Sequence, residues 1–276
     1  MSDFDDLLAE GLGLDVEAYW GAGFLEGRYR VKAPPWTWRE LARPHLACAG
    51  SALDMGTGEG GRLVDLAPLP RFTVAYEEWW PTVPAAAARL LPTGVNLVVC
   101  RGSVDNTELA GPPDPLRPGL PFADHSFDVV LNRHECFDPA EVLRILRPSG
   151  VFLTQQVGSL DTDSLRDMLG LDPAGGRWDR SLARRQAESA GLEVADSGED
   201  FSPFEFTDIA ALIGYVRTIP WAVPEFDATS MRGLLRRLQQ RCETQGGVVG
   251  VSHRFLVGGP QTMTPHWPTI GRLATN

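Results

Sequence analysis

The sequence predicts an α/β protein built on a doubly wound, mostly parallel sheet of seven strands, a Rossmann-like fold, with a helical N-terminal cap and an insertion before the last strand. Three observations predict it. From about residue 50 onward, short β-branched runs alternate with segments of helical periodicity, the signature of βαβ units. The apolar run Ser51-Ala-Leu-Asp-Met leads directly into a glycine-rich turn, Gly56-Thr-Gly-Glu-Gly-Gly. The 276 residues are 43% hydrophobic and 22% charged, an ordinary globular balance with ample material for a core.

Strands are predicted at Ser51 to Asp54, Phe72 to Tyr76, Asn96 to Cys100, Phe127 to Leu131, Val151 to Gln155, Leu192 to Ala195 and Val248 to Val257. Helices are predicted near residues 60–67, 83–91, 139–147, 160–169, 180–190, 207–219 and 229–244. Residues 1–45 read as helices with an aromatic segment (Tyr19, Trp20, Phe24, Tyr29, Trp36 and Trp38) that caps the rest. Between residues 105 and 121 five prolines deny backbone donors, which predicts a loop. The stretch 196–247 carries Phe201, Phe204, Phe206, Tyr215, Trp221 and Phe226 and reads as an insertion before the last strand. Aromatics at such spacing more often pack into a core than line a pocket. The organisation expected is a single domain, 1–276, with a cap at 1–45, a core at 46–200, and the insertion with the last strand at 201–276.

Charge and cysteine usage narrow the function classes. Lys and Arg number 25 against 36 Asp and Glu, a net charge of −11, which disfavours a polyanionic partner such as nucleic acid. The densest basic group, Arg232, Arg236, Arg237 and Arg241, has helical spacing and reads as a solvated helix face. The four cysteines form no CxxC pair and no Cys/His cluster, so reduced thiols and no metal are expected. No run approaches the roughly 18 to 20 apolar residues of a membrane span, and the acidic start is unlike a secretory leader, so a cytoplasmic protein is expected.

Gly56, Gly58 and Gly61 match G-x-G-x-x-G, the dinucleotide fingerprint, so spacing alone does not identify a ligand. The carboxylates do more. Asp54 ends the strand and Glu59 sits within the loop, where a pyrophosphate would be repelled and a sulfonium or ammonium favoured. Glu77, 23 residues beyond Asp54, stands where an acid accepts hydrogen bonds from both ribose hydroxyls.

The ordered set Leu53-Asp-Met-Gly-Thr-Gly-Glu-Gly, then Glu77, then Leu120-Pro-Phe-Ala-Asp-His-Ser-Phe-Asp-Val-Val-Leu-Asn, then Leu143-Arg-Ile-Leu-Arg-Pro-Ser-Gly-Val-Phe-Leu resembles class I S-adenosylmethionine-dependent methyltransferases, and most of all the type 11 methyltransferase-domain group. The resemblance covers roughly residues 45–200, and Phe206-Thr-Asp-Ile-Ala-Ala-Leu and Ser252-His-Arg-Phe-Leu-Val extend it. It implies that Asp54, Gly56, Thr57 and Gly58 line the methionine moiety of S-adenosylmethionine, and that Glu77, with Glu78 beside it, holds the ribose. Ser103 and Val104 would meet the adenine, and Asn132 would add a further cofactor contact. Many members carry Gly-Asp-Ala where this chain has Gly102-Ser103-Val104; the Ser103 hydroxyl, or Asp105, would then serve the adenine amino group.

Methyl transfer is an in-line displacement at an activated carbon, so the protein has to align the nucleophile and, for a weak one, take a proton. The densest polar cluster at a strand end is Asn132-Arg-His-Glu-Cys-Phe-Asp138. His134 is the candidate general base, although it reads equally as a helix cap or a partner of Glu135. Arg133 is a candidate for holding an anionic substrate, with a salt bridge to Glu135 or Asp138 as the plainer alternative. Cys136 reads as a small buried hydrophobe. Tyr215 and Trp221 are the candidate substrate-pocket walls. The function expected is S-adenosylmethionine-dependent methylation of a small, apolar or aromatic molecule. The readings beside it are an RNA or peptide methyltransferase, a non-catalytic S-adenosylmethionine-binding protein, and an oxidoreductase using the same loop.

Overall fold

The computed structural model describes residues 3–16, 22–107 and 119–260. Of these, 35–107, 119–158, 177–200 and 254–260 form one compact unit, here the α/β unit, and 3–16, 22–34, 159–176 and 201–253 form another, the helical unit.

In the α/β unit five strands run parallel to their neighbours: β2 (Ser51–Met55), β3 (Phe72–Glu77), β4 (Asn96–Val99), β5 (Phe127–Arg133) and β6 (Leu146–Val157). With the closing part of β8 (Val248–Pro260), antiparallel to β6, the order is β8-β6-β5-β2-β3-β4. Side chains alternate across a strand, so each strand here feeds two cores. Leu53, Met55, Val130, Phe152 and Phe255 face one way, onto Val142 and Ile145 of α6 (Pro139–Ile145) and Ala183 and Ala187 of α8 (Arg180–Ala190). Ala52, Ala75, Leu131, Leu153 and Leu256 face the other way. They meet Leu41 of α3 (Trp38–Ala47), Leu63 of α4 (Gly61–Val64), and Ala86 and Leu90 of α5 (Val83–Leu90). Each fully buried Leu contributes roughly 1.5 to 3 kcal/mol, so the two layers fix the strand register and with it the carboxyl edge that carries the loops.

The helical unit contains α1 (Phe4–Gly13), α2 (Ala22–Leu25), β1 (Tyr29–Val31), α7 (Ser159–Met168), α9 (Ile209–Thr218) and α10 (Arg232–Gln245), together with the later part of β7 (Asp196–Phe206). The seven residues of α9 from Ile209 to Gly214 and Val216 are buried, and Asp208 caps the helix through the Ala211 amide at 2.9 Å. β1 pairs antiparallel with β7, Tyr29 opposite Phe206.

Four expectations are corrected. Among the described residues there are eight strands rather than seven, and the parallel character belongs to β2 through β6. The extra strand, β1, lies in the segment expected to be helical; Tyr29 stacks on Tyr215 at 5.0 Å and meets Phe206 at 5.0 Å, and that aromatic packing outweighs local preference. The strand expected at 192–195 instead begins at Asp196. It runs to Phe206, so Phe201, Phe204 and Phe206 belong to a strand and not to an insertion. The polar start of that strand masked it, while the alternation of buried Phe204 and Phe206 around Glu205 was the signal for it. Tyr19, Trp20 and residues 108–118 of the proline loop lie outside the described residues. No helix among the described residues is long and apolar enough to cross a membrane.

Candidate functional site

The carboxyl edge of β2, β3 and β5 gathers most of the residues singled out above. β2 passes at Gly56 into a turn with φ +62° there, +59° at Gly58 and +78° at Gly60, conformations that L side chains rarely adopt. Gly56 is further constrained because a Cβ would lie 2.6 Å from the Cβ of Glu135. The loop is tied to β3 twice: the Thr57 amide donates to the Tyr76 carbonyl at 2.9 Å, and the Gly58 amide donates to Glu77 Oε2 at 2.6 Å. Glu77 Oε1 accepts from the Trp79 amide at 2.7 Å, so this carboxylate, 4% exposed, organises both the glycine loop and the turn after β3. Burial raises its pKa, and those backbone donors oppose the rise.

Asp54 is 7% exposed, and burial pushes its carboxyl up to about 7 against the Thr57 hydroxyl and the Arg133 charge. Glu59 is exposed and paired with Arg89 at 3.3 Å, so the argument from charge at the loop rests on Asp54 and not on Glu59. Glu78 accepts from the Gly102 amide at 3.1 Å. Past β4, the Ser103 hydroxyl is inaccessible to solvent and has no hydrogen-bond partner, and Val104 beside it is half-buried. At Gly102 a Cβ would overlap the Tyr76 hydroxyl, which is itself without a partner.

The cluster after β5 divides by what each side chain already holds. Asn132 is fully buried; its Oδ1 accepts from Thr154 Oγ1 at 2.9 Å and Gln156 Nε2 at 2.6 Å, so the side-chain oxygen is committed within the sheet. His134 sits at φ +65° with its amide donating to the Gln155 carbonyl at 2.8 Å. Trp36 Nε1 only donates, and it lies 3.0 Å from Gln155 Oε1. The Gln155 amide nitrogen therefore faces His134 Nε2, at 3.1 Å, and the imidazole must carry its proton on Nδ1. Burial, then the charges of Arg133, Arg254 and Arg62, hold this imidazole well below its ordinary pKa. The residue as a whole is nonetheless exposed to solvent. A neutral histidine whose basic nitrogen is occupied is a donor, so the geometry counts against His134 as general base.

Glu135, which sequence reasoning treated only as a partner for its neighbours, packs on Gly56. Burial and the Glu78 and Glu77 charges push its carboxyl up to about 8. Burial and Glu135 push the Cys136 thiol up to about 12, in keeping with a small packing residue. Arg133 forms neither of the salt bridges considered for it; among the described residues the one carboxylate acting on it is Asp54, from a distance. Tyr215 and Trp221 are in the helical unit. Tyr215 packs against Tyr29 and Phe206, and Trp221 is 62% exposed.

Buried carboxylates beneath a left-handed glycine turn, at the carboxyl edge of a parallel sheet, describe a protein with the methyltransferase fold, and solved structures bear out that fold. One, from Bacillus halodurans, is assigned as a methyltransferase: 17% identity over 82% of this chain and 99% of that one, TM-score 0.54. The YcgJ protein of Bacillus subtilis is similar at 16% identity over 82% of this chain and 98% of its own, TM-score 0.52. A functionally unknown protein of Deinococcus radiodurans matches at 14% identity over 85% and 91%, TM-score 0.51. No family model and no curated protein sequence matches the chain.

Proposed function

We propose that this protein transfers the methyl group of S-adenosylmethionine to a small acceptor molecule with an apolar or aromatic body. The observation that carries the reading is the buried Asp54 at the end of β2, next to the Gly56–Gly58 turn, where a carboxylate favours a cationic ligand over a pyrophosphate; Glu77 stands ready for the ribose, which a dinucleotide shares. The donor set fits that ligand in a second respect, because the orphaned Ser103 hydroxyl past β4 lies where the adenine is expected. When bound, the cofactor supplies a methyl group on a sulfonium.

The chain's own part is positional. Glu77 retains free lone pairs for ribose hydroxyls while its two backbone bonds hold the loop. Gly58, whose Cβ side is open, lets the backbone approach a ligand closely, while Gly56 makes room for Glu135. His134, its Nε2 taken by the Gln155 amide, is left as a donor at Nδ1 and takes up no proton. An acceptor that is already nucleophilic suits such a site, since it needs alignment more than deprotonation. The net charge of −11 supports a small molecule over RNA. Calorimetry with S-adenosylhomocysteine and with NAD tests the reading: saturable binding of the first and none of the second is expected. Binding of NAD alone would assign the loop to a dinucleotide and overturn the proposal.

A further inference from the structure

Glu135, two residues past the end of β5, lays its side chain on the glycine turn: a Cβ at Gly56 would come within 2.6 Å of the Glu135 Cβ and Cγ. One carboxylate oxygen, Oε1, accepts from the Cys136 amide at 3.2 Å. The other, Oε2, is the Glu135 atom nearest the missing side chain of Gly56, and it has neither a hydrogen bond nor an ion pair among the described residues. A half-buried carboxylate in that position is costly unless it takes a proton or a cation. In the chain by itself it takes the proton, since burial, and then the Glu78 and Glu77 charges, push the carboxyl up to about 8.

The cations of the same edge do not offset it. Arg62, Arg133 and Arg254 act about His134, and the carboxylate that draws Arg133 is Asp54, whereas the charges that act on Glu135 are both acids. Direct contacts tie those acids to the same turn and to the end of β4: Glu77 takes the Gly58 amide, and Glu78 takes the Gly102 amide at 3.1 Å. Gly102 in turn lies on the Tyr76 ring, where a Cβ would come within 2.9 Å of Cζ. Tyr76 is fully buried, its hydroxyl has no hydrogen-bond partner, and Glu135 is foremost among the charges acting on it. The Ser103 hydroxyl beside it is orphaned as well. Buried polar atoms without partners call for a ligand or water to satisfy them, and here a free carboxylate oxygen adjoins two free hydroxyls. A ligand that joins a cation to a neutral polar ring system matches that set.

Resting on the methyltransferase reading above, we infer that Glu135 selects the cofactor by charge: its free carboxylate oxygen favours the cationic S-adenosylmethionine over S-adenosylhomocysteine, whose sulfur is neutral. The product left by methyl transfer is then held more weakly than the cofactor that enters, and it accumulates on the protein less readily.

The test titrates the full chain by calorimetry with each of the two ligands separately, at pH 8 and without a methyl acceptor. Wild type should bind S-adenosylmethionine at least about thirtyfold more tightly than S-adenosylhomocysteine, of which burial of the extra methyl group accounts for about fourfold. Glu135→Gln keeps the shape of the side chain and removes its charge; the ratio should fall to about fourfold, chiefly through weaker S-adenosylmethionine binding. Glu135→Asp keeps the charge but withdraws it, so its ratio should lie between the two, and it serves where the Gln variant does not fold. Glu188→Gln, which removes the same charge from an exposed pair with Arg184 on α8, should leave the ratio at the wild-type value. A wild-type ratio of about fourfold or less overturns the inference. So does a ratio unchanged by the Glu135 substitutions, even if both affinities fall together, because Glu135 would then only support the turn. Binding of neither ligand by wild type overturns the methyltransferase reading and this inference with it, whereas binding of both with nearly equal affinity overturns this inference alone.

Discussion

The Glu135 carboxyl should make the stability of this protein fall as pH rises. It is held against Gly56 with the Glu78 and Glu77 charges nearby, and burial is the largest influence raising it to about 8 from an ordinary 4.5. The folded chain therefore keeps a proton that the unfolded chain releases. Where the folded state binds more protons, stability decreases with pH: the contribution is intact below about 4.5, declines across the interval, and is lost above about 8. At about 1.4 kcal/mol per pH unit the loss across that interval is about 3 to 5 kcal/mol. Glu135→Gln removes the titration while keeping shape and hydrogen-bonding capacity. Urea denaturation of both proteins at pH 5 and pH 8.5 isolates the effect, since Asp54 and the other buried acids contribute to both. The two proteins should be nearly equal at pH 5, with the Gln variant ahead at pH 8.5 by a few kcal/mol. A difference that stays constant within about 0.5 kcal/mol between those pH values refutes the reasoning and means that the carboxyl is solvated.

Glu77→Ala should weaken S-adenosylhomocysteine binding about tenfold to a hundredfold and also lower stability by about 2 to 4 kcal/mol, because the Gly58 and Trp79 amides lose their acceptor; calorimetry and urea midpoints read the two effects separately. Gly56→Ala should cost at least about 1 to 2 kcal/mol from the positive φ alone, visible as a lower melting temperature, and an unchanged melting temperature would show that the turn relaxes freely. Tyr215→Ala should destabilise by about 2 to 4 kcal/mol through its loss from the Tyr29–Phe206 cluster, whereas Trp221→Ala, at an exposed side chain, should change stability by less than about 0.5 kcal/mol. Equal losses in those two variants would contradict the packing described for Tyr215.

What the sequence determined by itself is what depends on neighbours along the chain. The run from Ser51 through Gly61 carries its strand, its turn and its helix start in eleven residues, because an apolar strand and glycines at positive φ are local requirements. Asp54, Glu77 and the segment Asn132–Glu135 were legible as edge residues for the same reason, each following directly on a short apolar run. Tertiary structure decided how those groups are used. The tautomer of His134 follows from Gln155 and Trp36, which are 21 and 98 residues away in sequence and meet it through the β5–β6 register. The shift of Glu135 arises from burial and from acids at the end of β3. Arg133 and Arg254 are far apart in the chain, and the β5–β6 and β6–β8 pairings turn them to one face of the sheet. β1 and the aromatic half of β7 likewise owe their strand conformation to pairing with each other. Local propensity is a sum over a few adjacent residues, whereas a pKa, a tautomer or a charge cluster is set by groups within several ångströms, and in a parallel sheet those groups come from distant parts of the chain.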